Sequence, residues 1–213
     1  MSNTDHLIES LSGQVRNSEK PLRLGRMLLL WVVGLGVYIA AIFASGIMPL
    51  RPDLIEVLAQ KPLFGLEIAS LMTLVLSTAW AAVFLGFPDC YQKKSVLRLP
   101  LKALGIFTLV LALAWATGST NAEPGPGVEC FLCICGLSFI PAACLFYRLR
   151  RMATVQPDIA GMLCSLCAFG LGALILRLSE QTDSIAHVVL WHYAPMLAIS
   201  ALGFCLGPRL LKW

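Results

Sequence analysis

The sequence predicts an all-α integral membrane protein: a six-transmembrane-helix bundle, N-in/C-in. Three observations predict it. The composition is 58% hydrophobic and only 13% charged, with a mean hydropathy of +0.79, whereas soluble domains run at about half apolar and about a quarter charged. The apolar residues gather into six runs, 27–48, 63–85, 101–117, 130–147, 159–176 and 188–206, each near the ~20 residues a helix needs to cross a bilayer. The basic residues sit in alternate connectors.

The opening polar stretch and the long first run do not read as a cleaved signal peptide. Within that stretch Leu7, Ile8, Leu11 and Val15 fall on one helical face. Asn3 or Thr4 is placed to cap this helix, Gly13 weakens it, and Pro21 separates it from the first span. Pattern alone leaves two readings open: an interfacial helix lying on lipid, or a segment that folds into a groove on a cytoplasmic partner.

The charge asymmetry sets the orientation. Arg16, Lys20, Arg23 and Arg26 precede span one. Lys93, Lys94 and Arg98 lie between spans two and three with Lys102 just inside the third run, Arg148, Arg150 and Arg151 follow span four, and Arg209 and Lys212 follow span six. Only Arg51, Lys61 and Arg177 fall on the other side. Basic residues favour the cytoplasmic side, so both termini are expected there. The expected organisation is a cytoplasmic segment 1–26, a membrane domain 27–206 and a cytoplasmic tail 207–213. The connector 49–62 has room for one short amphipathic turn at the interface, and 118–129 carries turn residues without periodicity.

Cysteine is abundant. Cys130, Cys133 and Cys135 open span four, with Cys130 and Cys133 on one face and Cys135 turned away. Cys130 is the best candidate for redox chemistry or a soft metal, with Cys133 and with His187 across the bundle. No four-ligand zinc spacing appears. Cys133, Cys135, Cys144 and Cys205 read as small apolar core residues. The Cys164/Cys167 pair lies inside span five, where core packing is the better reading than thiol exchange. Cys90 is a lone thiol in a basic loop.

His187 and Trp191 share a face at the outer end of span six, and an α-helix turns His192 away from them. Pro141 and Pro195 remove amides that would bond to the Leu137 and Trp191 carbonyls, so spans four and six are expected to kink there and to provide hinges. Glu67 is the one charge clearly inside a run. Without other paired charges at depth, an ion-coupled pathway is not supported. Neither a Ser/His pair, nor paired carboxylates, nor a phosphate-binding glycine loop points to an enzyme, and no cofactor or nucleic-acid contact is expected.

Several short motifs in a fixed order carry a resemblance. They are "HLIESL" at residues 6–11, "RPDL" (Arg51, Pro52, Asp53, Leu54), "QPDIAG" at 156–161, "HVVLWHYAPM" at 187–196 and "LGPRLLKW" at 206–213. In order and spacing they resemble the NrsF-like multi-pass anti-sigma factors of bacterial inner membranes, over most of the chain. The resemblance implies a protein that holds an extracytoplasmic-function (ECF) sigma factor inactive at the membrane and releases it on a stress signal. Leu7, Ile8, Leu11 and Val15 would then contact the sigma factor. Cys130, Cys133, His187, Trp191 and His192 are the signal-sensing candidates. Many members of that family carry a second cysteine near the loop between spans five and six, where this chain has Leu178, Ser179 and Glu180. A small permease and a membrane thiol oxidoreductase are the readings from other classes.

Overall fold

The computed structural model describes residues 24–87, 95–117, 127–152 and 154–212. Six helices among them are long and apolar enough to cross a membrane, and no strand occurs among the described residues. In chain order the elements are α1 (Leu24–Ala44), the short α2 (Leu54–Gln60), α3 (Pro62–Leu85), α4 (Arg98–Thr117), α5 (Val128–Arg150), α6 (Pro157–Ser179), α7 (Ile185–Val188), a wide π-turn (Val189–Tyr193) and α8 (Ala194–Leu210). Helix α7, the π-turn and α8 together form the sixth span, Ile185–Leu210. The prolines at the starts of α3 and α6 occupy the first helical turn, where no intrahelical N–H bond is lost. The first connector, expected to hold one short amphipathic turn, holds the seven-residue helix α2.

Helix α6 is the axis of the bundle, with 83% of its apolar window buried against 11% for α1. It packs on α8, α3 and α5, while α4 lies against α3 and α1 sits at the periphery. Its small residues make this central place possible. Gly161 and Ser165 of α6 face Gly203 and Gly207 of α8 so closely that a Cβ on Gly161 would stand 2.7 Å from the Gly207 Cα, and one on Gly203 would stand 2.7 Å from the Gly161 carbonyl oxygen. A small-x-x-x-small pattern on both helices lets the backbones approach, as is usual where lipid removes any hydrophobic drive between spans. Cys164 and Cys167 are wholly buried in this core. Cys133, Cys144 and Cys205 instead face outward and Cys135 is half-buried, contrary to a core placement. A small apolar thiol is equally compatible with lipid. The outward faces of α1, α4 and α5 present Leu29, Val33, Leu101, Leu109, Leu132 and Phe139, a belt that only an apolar solvent accommodates.

The end of the bundle carrying residues 45–61 and 180–184 is termed the upper end. Just inside it, Arg177 of α6 donates from Nε to Glu67 Oε1 of α3 at 2.9 Å and from Nη2 to Glu67 Oε2 at 3.3 Å. Tyr193 donates its hydroxyl to the same carboxylate. All three side chains are buried. Glu67 is therefore paired with a charge, which the run boundary at residue 176 concealed, because α6 continues to Ser179.

Proline shapes the other notable contact. Pro141 cannot donate to the Leu137 carbonyl, and Tyr38 of α1 donates its hydroxyl to that oxygen at 2.7 Å. This bond fastens the peripheral α1 to α5. At Pro195 the chain adapts differently: the wide turn precedes it, and the Ala194 amide reaches back five residues to the Val189 carbonyl.

Two variants test these contacts. Arg177→Leu leaves Glu67 buried without its partner and is expected to cost about 3–5 kcal/mol of stability, read from denaturation in detergent, with the Glu67→Leu/Arg177→Leu double variant recovering part of it. Tyr38→Phe strands the Leu137 carbonyl and is expected to cost about 1–3 kcal/mol in the same measurement.

Candidate functional site

At the upper end two polar assemblies sit side by side. The first is a clamp made by the Arg51–Leu54 motif. Arg51 is buried, 4% exposed. Its Nε and Nη2 grip Asp53 at 2.7 and 3.0 Å, and its Nη1 reaches Asp183 Oδ1 at 3.1 Å. Lys61 Nζ takes the other Asp183 oxygen at 2.6 Å, and the Arg51 amide bonds to the Leu178 carbonyl at 2.9 Å. The connector after span one is thereby tied to the connector after span five. Hydrogen bonds to Asp53 and Asp183 raise the Arg51 pKa above its ordinary value, and the Arg51 guanidinium holds Asp53 below its own. Burial pushes Asp183 up, but Arg51 and Lys61 outweigh it and hold it low. Pro52 is exposed and Leu54 half-buried at the start of α2, so the motif is a staple between connectors.

The second assembly is built by the π-turn. Five residues along an α-helix amount to about 140° of rotation, which would part His187 from His192. The wide turn brings the fifth residue close to one full revolution, and the two rings stand 5.6 Å apart in an edge-to-face arrangement. His192 is thus on the side of His187, correcting its expected placement. Cys130, in the first turn of α5, faces them: Sγ lies 3.5 Å from His187 Nε2 and 3.8 Å from Glu180 Oε1. Glu180, the residue that terminates α6, approaches His187 Nε2 at 3.6 Å and His192 Nε2 at 3.0 Å. The last approach is short but lies off the line that an N–H bond requires. Both ring nitrogens of the fully buried His192 and Glu180 Oε2 therefore have no hydrogen-bond partner.

One ligand atom from each of Cys130, Glu180, His187 and His192 lies within 4.8 Å of the others. Burial alone would raise the Glu180 carboxyl, but contacts with His192 and Thr182 and the two imidazole charges overcome it and hold Glu180 down to about 2.

Of the sensing candidates, the structure brings together Cys130, His187 and His192. Cys133 is exposed on the lipid-facing side of α5. Trp191 is half-buried and packs over Gly127, where any Cβ would strike the indole. Leu7, Ile8, Leu11 and Val15, together with Cys90, lie outside the described residues. Glu180 was not among the expected site residues. The only signal for it in the sequence was its position at the end of span five.

The sequence matches the family described as "Negative regulator of sigma F" (NrsF) over residues 11–213. It is 25% identical to the anti-sigma-F factor NrsF of Caulobacter vibrioides, over 99% of this chain and 99% of that protein. No solved structure matches.

The folded Glu180 lies near 2 against an ordinary 4.5. A depressed carboxyl contributes stability that is intact above the ordinary value and is lost as pH falls toward the folded one. Between pH 4.5 and about 2, wild-type protein is expected to lose on the order of 1–3 kcal/mol from this group. Glu180→Gln should lack that share of the acid sensitivity, as read from thermal unfolding in detergent at pH 5 and pH 3.

Proposed function

The chain belongs to the family of negative regulators of sigma F, and from that membership we propose that it holds an ECF sigma factor inactive at the bacterial cytoplasmic membrane. A full-length match to an anti-sigma factor, on a chain with six candidate spans, is the observation that carries this reading. The activity is binding and release, without catalysis. The segment 1–26 is the contact region. Leu7, Ile8, Leu11 and Val15 bury into a groove on the sigma factor as an amphipathic helix. The bound sigma factor is tethered to the bilayer and its polymerase-binding surface is covered.

The orientation rests on the basic residues that flank the spans, which favour both termini in the cytoplasm. The upper end then faces away from the cytoplasm, and Cys130, His187 and His192 are where a stress signal is received. Two features support a route inward. Spans four and six each carry proline below the polar cluster, Pro141 and Pro195, and these are the hinges. The carbonyl that Pro141 frees is held by Tyr38 of α1, and α1 is the helix that follows the sigma-binding segment in the chain. Movement of the upper half of α5 about Pro141 is therefore felt by the helix adjoining the tail.

Membranes bearing the intact chain are expected to retain a sigma factor in a pull-down, and membranes bearing a chain without residues 1–20 are expected to lose it. Replacing Leu7, Ile8, Leu11 and Val15 together with Ala should weaken capture at least ~100-fold, since each buried aliphatic anchor contributes about 1.5–3 kcal/mol. Retention of the sigma factor by the truncated chain would place the contact elsewhere.

A further inference from the structure

We infer that Cys130, Glu180, His187 and His192 form a binding site for a borderline-soft divalent cation of the zinc class. The inference concerns the cluster alone and stands whether or not the chain contacts a sigma factor.

The donor set comes first. A thiol, two imidazoles and a carboxylate are the ligand types that zinc takes, and the thiol and imidazoles disfavour the hard cations calcium and magnesium. Geometry comes second. Tetrahedral zinc holds sulfur at about 2.3 Å and nitrogen or oxygen at about 2.0–2.2 Å, which puts neighbouring ligand atoms ~3.3–3.6 Å apart. The observed separations are 3.5 Å for Cys130 to His187, 3.8 Å for Cys130 to Glu180, 3.6 Å for His187 to Glu180 and 3.0 Å for His192 to Glu180. The remaining pairs lie within 4.8 Å of one another, so the ligand atoms surround a space that an ion fills once the wider pairs close by about 1 Å.

Unsatisfied bonding is the third observation. His192 is fully buried, and its Nε2 is directed at the cluster without a hydrogen-bond partner, as is Glu180 Oε2. A network built only of hydrogen bonds would have paired these atoms, because an orphaned buried polar atom is costly. A cation accepts both lone pairs. Charge is the fourth: the thiolate and the carboxylate together supply two negative charges, which balance a divalent ion held between half-buried Cys130 and Glu180 and the two buried histidines. Four protein ligands fill a tetrahedral shell, the pattern of a site that holds structure and not of one that keeps a position open for a reaction. The ligands come from α5, the end of α6, α7 and the π-turn, so a bound ion clips together the upper ends of spans four, five and six.

The test uses full-length protein without a polyhistidine tag, stripped with a chelator and held in detergent micelles. It is titrated with cobalt(II) and then with zinc(II). The expected result is one cobalt per chain, with the intense visible bands of tetrahedral cobalt and a near-ultraviolet thiolate-to-cobalt charge-transfer band, both erased by zinc. Cys130→Ser should lose the charge-transfer band and keep visible bands. His187→Ala/His192→Ala should lower zinc affinity by more than the ~10–100-fold that loss of an outer-shell partner costs. Size-exclusion elution identifies the folded variants, and Cys130→Ser alone suffices should the double variant not fold. Folded wild type that takes up less than one cobalt per chain, or a charge-transfer band that survives in Cys130→Ser, overturns the inference.

Discussion

The pairing of Glu67 with Arg177, completed by the hydroxyl of Tyr193, is the interaction on which the upper half of the molecule depends. An isolated charge at that depth would be expensive in lipid, so the three residues fix spans two, five and six against one another. The guanidinium also reaches past the membrane-buried pair. Its Nη1 donates to the Thr182 carbonyl at 2.7 Å, and its face lies 4.7 Å from the centre of the Phe64 ring. That bond sets the course of residues 180–184, which present Glu180 to the histidines and Asp183 to Arg51 and Lys61. Both polar assemblies of the upper end are therefore downstream of one buried ion pair.

Much of the fold could be read from hydropathy and charge, because lipid forces every span to be apolar over a set length. The six runs correspond to the six long helices, with ends displaced by a few residues. The displacement mattered at Arg177, which fell outside the predicted run and so was not seen as a partner for Glu67. The contacts that join spans were not legible: Tyr38 to Leu137 and Arg177 to Glu67 link residues 99 and 110 positions apart. The close approach of Gly161 to Gly203 and Gly207 emerged only from the fold, because small residues in a span carry no mark of which helix they will face. At the cluster, Cys130 and His187 could be proposed from their positions near one end of the bundle. His192 could be placed only by knowing that the helix widens, and Glu180 only by knowing where the connector folds.

Span one differs from the rest. It buries little of its surface and meets the bundle chiefly along α3 and through the Tyr38 hydroxyl. A helix held so lightly can shift at lower cost than α6, whose backbone is nearly in contact with α8 at Gly161. The rigid part of the molecule is thus the pair formed by spans five and six, and its adjustable part is the helix next to the proposed sigma-binding segment. This division suits a regulator whose membrane domain has to stay assembled while its tail changes presentation.

The wide turn at Val189–Tyr193 has a further consequence. It accommodates one residue more than an ordinary helix of the same rise would hold. Were the turn to tighten into a regular ladder with that residue kept, everything before it would rotate by about 100° relative to α8. His187 would swing off Cys130, yet Ala194–Leu210 could keep its seat on α6. Removing one residue would instead close the ladder with both flanks facing almost as before, because four residues along an α-helix come within about 40° of a full revolution, so lineages of this architecture can lose the widening without rebuilding the rim.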